Sequence, residues 1–123
     1  MILVETSIWI DHLRSRDETL AERLNRREIL IHPYVIGELA LGHMGPRAEI
    51  LTMLQDIPQV ATATESEVLH LIESTVLFGT GIGYVDAHLL AAVKLRPGTR
   101  LWTRDKRLLA VAARLDLAAD LLH

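Results

Sequence analysis

At the start of this chain, three apolar residues run straight into three polar ones: Ile2-Leu3-Val4, then Glu5-Thr6-Ser7. The first three are short, apolar and partly β-branched, the composition of a buried strand. Thr6 and Ser7 are good helix-capping types, and Ile8, Trp9, Ile10 and Leu13 supply apolar positions for a helix behind them. A strand that hands over to a helix so abruptly belongs to an open α/β sheet. In such sheets ligands bind just beyond the carboxyl ends of the strands. Glu5 therefore falls on the expected active edge.

The remaining chain keeps the same alternation, which points to a parallel sheet with helices around it. Asp17–Arg26 reads as a second helix with Leu20, Ala21 and Leu24 on one face, and 28–31 as a strand. Pro33 opens a third helix that runs to about Leu41 and stops at Gly42. Pro46 opens a fourth with Ile50, Leu51 and Leu54 inward, and 59–61 has the look of a short strand. Thr64-Glu-Ser-Glu67 is a capping box, and Val68, Leu69, Ile72 and Val76 are expected to give its helix a core stripe. Gly79, Gly81 and Gly83 lie in a loop before a helix over 84–95, with Val85, Leu89, Ala92 and Val93 inward. They lack the order and the preceding strand of a phosphate-binding loop. Arg96-Pro-Gly98 is a turn. A strand over 100–103 precedes an amphipathic helix over 106–115, where Leu108, Val111, Ala112 and Leu115 share a face. The tail 117–122 reads as a last strand or a docked helical turn.

A chain of 123 residues, half of them hydrophobic, is expected to form one domain, residues 1–123, with a real core. Cysteine is absent, which removes disulfides and thiolate zinc sites and suits a reducing, cytoplasmic setting. Neither a membrane span nor a signal peptide is expected, since no apolar run approaches 20 residues and the N-terminus lacks a basic region. The net charge of −3 advertises no nucleic acid, although a local basic patch suffices for backbone contact.

Most of the sixteen acids sit on polar helix faces. Glu38 and Asp86 do not. The first lies in Tyr34-Val-Ile-Gly-Glu-Leu-Ala-Leu41 and the second in Tyr84-Val-Asp-Ala-His-Leu-Leu-Ala-Ala-Val93. A carboxylate withdrawn from water needs a partner, which means a buried arginine pair or a bound cation. Asp105 follows a strand and precedes a helix, as Glu5 does, and reads equally well as a helix cap. Four carboxylates with no cysteine or histidine set to accompany them suit Mg²⁺ or Mn²⁺. Such a site holds phosphates and activates water for in-line attack.

These segments resemble a known family. Ile2-Leu-Val-Glu-Thr-Ser-Ile-Trp-Ile10, Val35-Ile-Gly-Glu-Leu39, Asp86-Ala-His-Leu-Leu-Ala-Ala92 and Thr103-Arg-Asp105 follow the order and spacing of PIN domains. They look most like the VapC-type toxins of VapBC toxin–antitoxin pairs, over essentially the whole chain. The resemblance implies a three-layer α/β/α fold with a central parallel sheet. It also implies a Mg²⁺- or Mn²⁺-dependent endoribonuclease acting on RNA, often tRNA or rRNA, that dimerises and is inhibited by a VapB-type antitoxin lying across the active-site groove. The acidic quartet carries over to Glu5, Glu38, Asp86 and Asp105 as catalytic and metal-binding residues, and Thr6 and Thr103 to hydroxyls that support them. Glu5 departs from the family, whose first acid is normally Asp. One extra methylene is about 1.5 Å of bond length, enough to attenuate a metal site that demands near-octahedral geometry.

Arg104, Lys106 and Arg107 surround Asp105 at a helix start, where cations oppose the helix dipole. They are candidates for RNA backbone contact, and Arg14 and Arg16, after the first helix, are candidates to extend the patch. Asp86-Ala-His88 is a poor metal pair, because residues two apart on a helix do not share a face. Trp9 and Trp102 are expected in the core. Two rivals stand beside the nuclease reading. One is a non-catalytic PIN-fold module that binds antitoxin or RNA. The other is a phosphoacceptor or phosphohydrolase α/β domain, which lacks here a convincing strand-end lysine.

Overall fold

The computed structural model describes residues 1–121. Its centre is a parallel sheet of β1 (Ile2–Val4), β2 (Ile29–Leu30) and β3 (Arg100–Trp102), in the order β2-β1-β3. Ile2 is in register with Ile29 and Arg100, and Leu3 with Leu30 and Leu101. The expected strand over 59–61 contracts to a single bridge, Ile31 to Gln59, and the tail adds another, Leu101 to Ala118. Each extends a sheet edge by one residue. Leu122, the last residue of the expected tail element, lies outside the described residues.

Around the sheet stand α1 (Thr6–Arg14), α2 (Glu18–Asn25), α3 (Pro33–Ala40), α4 (Arg47–Asp56), α5 (Glu65–Ser74), α6 (Tyr84–Leu95) and α7 (Lys106–Arg114), giving the expected three-layer α/β/α arrangement. Asp17 caps α2 through Leu20 N–H, and Thr64 and Glu67 form the expected capping box on α5. The most enclosed helix is α6, buried continuously from Ala87 to Val93. That explains its nearly unbroken apolar sequence, with Asp86 half-buried at its first turn.

Two expectations fail locally. On α5 the inward residues are Val68 and Leu71, with Ile72 partly buried, whereas Leu69 and Val76 are exposed. The helix ends at Ser74, and Val76 turns into the left-handed region at φ 54°, so the stripe cannot continue to it. On α1, neither Thr6 nor Ser7 caps the helix. Glu5 occupies the cap position without a capping bond, and both hydroxyls point elsewhere.

Candidate active site

The two hydroxyls point to carboxylates. Thr6 Oγ1 donates to Glu38 Oε1 at 2.7 Å, which ties α1 to α3. Ser7 Oγ donates to Glu5 Oε1, which also accepts from Thr103 Oγ1 at 2.7 Å. Glu5 N–H meanwhile donates to Trp102 O at 2.9 Å, so its backbone is still paired with the sheet as the chain leaves β1. Glu5 is thus buried and held from two sides.

Asp105 does what a helix cap does, accepting from Leu108 N–H at 3.0 Å. Its own N–H donates to Thr103 Oγ1 at 3.0 Å, so one threonine links the exits of β1 and β3. Asp86 Oδ2 accepts from Gly83 N–H at 3.2 Å across the first turn of α6. The structure therefore brings Glu5 and Asp105 together through Thr103, and Glu38 to α1 through Thr6.

Asp86 reports how the quartet is arranged. Burial pushes its carboxyl up to about 6; the Gly83 N–H opposes this, and Glu5, Asp105 and Glu38 each push it further upward. All three other acids thus act on Asp86 as like charges. Among the described residues none of the four is in an ion pair, so the arginine partner considered for Glu38 and Asp86 is not there. Glu38 is exposed rather than buried, contrary to the reading of its apolar surroundings. It lies on the solvent side of α3, whose inward residues are Val35 and Leu39.

Among the described residues, no group of three or more His, Asp or Glu side chains is arranged as it stands to hold a metal ion. The donor chemistry nevertheless fits a hard divalent cation: carboxylate oxygens only, mutually repelling, with hydroxyl and backbone donors occupying one oxygen of each. The repulsion that raises Asp86 is what a cation would relieve.

The three cations near Asp105 differ in placement. Arg104 bonds Asp11 at 2.7 Å and Asp17 at 2.6 Å, and its guanidinium carbon lies 5.8 Å from the Trp102 ring centre. Asp17's hydrogen bond raises Arg104 above its ordinary value. Arg104 is thus engaged within the fold, whereas Lys106 and Arg107 are exposed. Ser7 escaped the sequence reading. Besides holding Glu5 it accepts from Arg104 N–H at 3.0 Å, a partner 97 residues away in the chain. Trp9 and Trp102 are fully buried, which leaves neither available for stacking on a base.

Over residues 2–114 the chain matches the PIN domain family model. It is 49% identical over 118 residues to Ribonuclease VapC32 of Mycobacterium tuberculosis, in strain CDC 1551 / Oshkosh and in strain ATCC 25618 / H37Rv, covering 96% of this chain and 95% of that protein. The crystal structure of PAE2754 from Pyrobaculum aerophilum superposes on it with a TM-score of 0.62, covering 94% of each chain at 18% identity, a likeness of fold.

Proposed function

The chain belongs to the PIN-domain family as a VapC-type member, and on that premise we propose that it is a divalent-metal-dependent endoribonuclease, the toxin of a type II toxin–antitoxin pair. One observation carries the proposal: the carboxylates of Glu5, Glu38 and Asp105 all act on a half-buried Asp86 that is in no ion pair among the described residues. The name of the 49% identical relative, a ribonuclease, supports RNA as substrate, with tRNA or rRNA the expected target.

Glu5, Glu38, Asp86 and Asp105 are the residues that would hold Mg²⁺ or Mn²⁺. Such a cation supplies Lewis acidity toward the phosphodiester and a lowered pKa for the attacking water. The chain's own part is positioning. Thr103 and Ser7 orient Glu5, Thr6 orients Glu38, and the Gly83 and Leu108 N–H groups orient Asp86 and Asp105. Lys106 and Arg107, exposed beside Asp105, would meet RNA phosphates, and Arg104 borders them.

A cleft of about 510 Å³ beside Glu38, walled by Ile10, Leu13, Arg14, Leu39 and Met44, is where a VapB-type antitoxin segment would lie. No helix among the described residues is long and apolar enough to cross a membrane. A homodimer acting in the cytoplasm completes the reading. A non-catalytic module that binds RNA or antitoxin draws its main support from Glu5.

The test combines binding and cleavage. Mn²⁺ should raise the melting temperature of the natural protein and support cleavage of total RNA. The triple change Glu38→Gln, Asp86→Asn, Asp105→Asn should abolish both. Retention of the full Mn²⁺ shift by the triple variant would exclude these residues as the site. Binding of metal and RNA without cleavage would favour the non-catalytic module.

A further inference from the structure

The chain contains two Trp, two Tyr and one Phe. Both Trp are buried, yet Phe78 is 58% exposed, Tyr84 49% and Tyr34 45%. An aromatic ring left in water forgoes the stabilisation that burial would give it. These three rings are not scattered. Phe78 and Tyr84 line one cavity of about 250 Å³, together with Gly79, Gly81 and Ile82. Tyr84 stands edge-on to His88 at 4.7 Å between ring centres, and Tyr34 also packs on His88, at 4.9 Å. His88 is buried, so Tyr84 is braced by a packed ring.

The cavity adjoins the carboxylates. Gly83, on its rim, donates to Asp86 Oδ2. A cation from α7 packs against the same loop: a Cβ built on Gly81 would sit 2.9 Å from Arg107 Cδ and 3.0 Å from a guanidinium nitrogen. Gly81 has φ +85°, so the loop needs glycine there both for its backbone and for the close approach of Arg107.

We propose that this cavity receives one unpaired nucleobase of the RNA substrate, stacked against Phe78 and Tyr84, with Arg107 on the neighbouring phosphate. The proposal rests on the ribonuclease reading and adds to it a recognition pocket, which only an unpaired base can enter. Unstacked bases find aromatic side chains in this way, and the π-face of any base will serve. A base inside a duplex has both faces covered and cannot enter. Contiguity with Asp86 places the occupied nucleotide next to the scissile linkage, so the pocket sets where the strand is cut.

The experiment uses a short single-stranded oligoribonucleotide with one cut site. It is assayed with Mn²⁺ as the intact strand and as a series with one abasic position near the cut. The natural protein is compared with Phe78→Leu and Tyr84→Leu. Phe78→Leu should raise KM about tenfold with a smaller effect on kcat. One abasic position should reproduce that loss in the natural protein and add nothing in Phe78→Leu. The Mn²⁺-induced rise in melting temperature should persist in Phe78→Leu, which separates base binding from the carboxylate site. Natural KM in both variants, with abasic strands cut equally by all three proteins, would overturn the base pocket while leaving the ribonuclease reading intact. Failure of the natural protein to cut any RNA would remove both.

Discussion

The hydroxyl of Thr103 donates to the carboxylate of Glu5 at 2.7 Å across 98 positions of sequence. It joins the exits of two neighbouring parallel strands, and its oxygen also accepts from Asp105 N–H. Thr103→Val keeps the shape and removes the donor from a fully buried position. Leaving a buried carboxylate oxygen short of a donor costs about 1–3 kcal/mol. The variant should therefore melt several degrees lower, and its Mn²⁺ shift should shrink because Glu5 is no longer oriented. An unchanged melting curve would mean that Ser7 alone suffices to hold Glu5.

Asp86 makes the site pH-dependent. Its folded value of about 6 lies above its ordinary 3.8. A carboxyl raised on folding contributes stability that is complete below about pH 4 and is lost as pH rises through about 6. A cation requires the ionised form, so the Mn²⁺-induced rise in melting temperature should be small near pH 5 and grow as pH passes 6. Asp86→Asn should flatten the metal-free melting profile across that window and raise it above pH 6, while removing most of the Mn²⁺ shift. A metal shift independent of pH between about 5 and 7 would contradict this arrangement.

Asp86 was legible in the sequence because an acid inside an unbroken apolar run demands a physical reason, and α6 is indeed enclosed. The same argument singles out Glu38, although its premise does not hold there, since Glu38 is exposed. A helix with one solvent face carries an exposed acid among apolar neighbours without cost. Asp105 is both of the things its position allowed, a cap and a neighbour of the acids. What local pattern cannot show is pairing over long separations. Ser7 and Thr103 share Glu5 Oε1 only because β1 and β3 are adjacent, and nothing in either segment announces the other. The strand over 59–61 misled for a related reason: an edge segment needs one partner residue only, and a single bridge to Ile31 satisfies it.

Arg104 and its neighbours should separate in mutagenesis. Arg104 is anchored to Asp11 and Asp17, so Arg104→Ala should act mainly on stability, by about 1–3 kcal/mol, since charged hydrogen bonds to a largely buried Asp17 are lost. Lys106→Ala with Arg107→Ala should leave the melting temperature nearly unchanged and flatten the salt dependence of RNA binding, because fewer counterions are released. A salt titration that moves for Arg104→Ala and stays put for the double variant would reverse these assignments.

The last expectation concerns the length of Glu5. Its Oε1 is held by Thr103 and Ser7, so the longer side chain is anchored on the sheet side of the site. Glu5→Asp withdraws the carboxylate by about 1.5 Å, and two effects then compete. The hydrogen bonds to Thr103 and Ser7 weaken, which should lower the melting temperature by a few degrees. Against that, a shorter ligand restores the geometry of the family's usual first acid, and a displacement of about 1 Å can cost on the order of 10²-fold in rate. Catalysis is the more sensitive of the two. Glu5→Asp should therefore melt lower yet cleave RNA at least about tenfold faster, roughly 1.4 kcal/mol of barrier, and be more toxic when expressed without antitoxin. The check is a side-by-side cleavage assay with Mg²⁺ and Mn²⁺, EDTA controls and melting curves for both proteins. Equal rates would make Glu5 an ordinary working ligand, its reach already accommodated by Thr103 and Ser7. Absence of cleavage in both, with metal binding intact, would count against the ribonuclease itself.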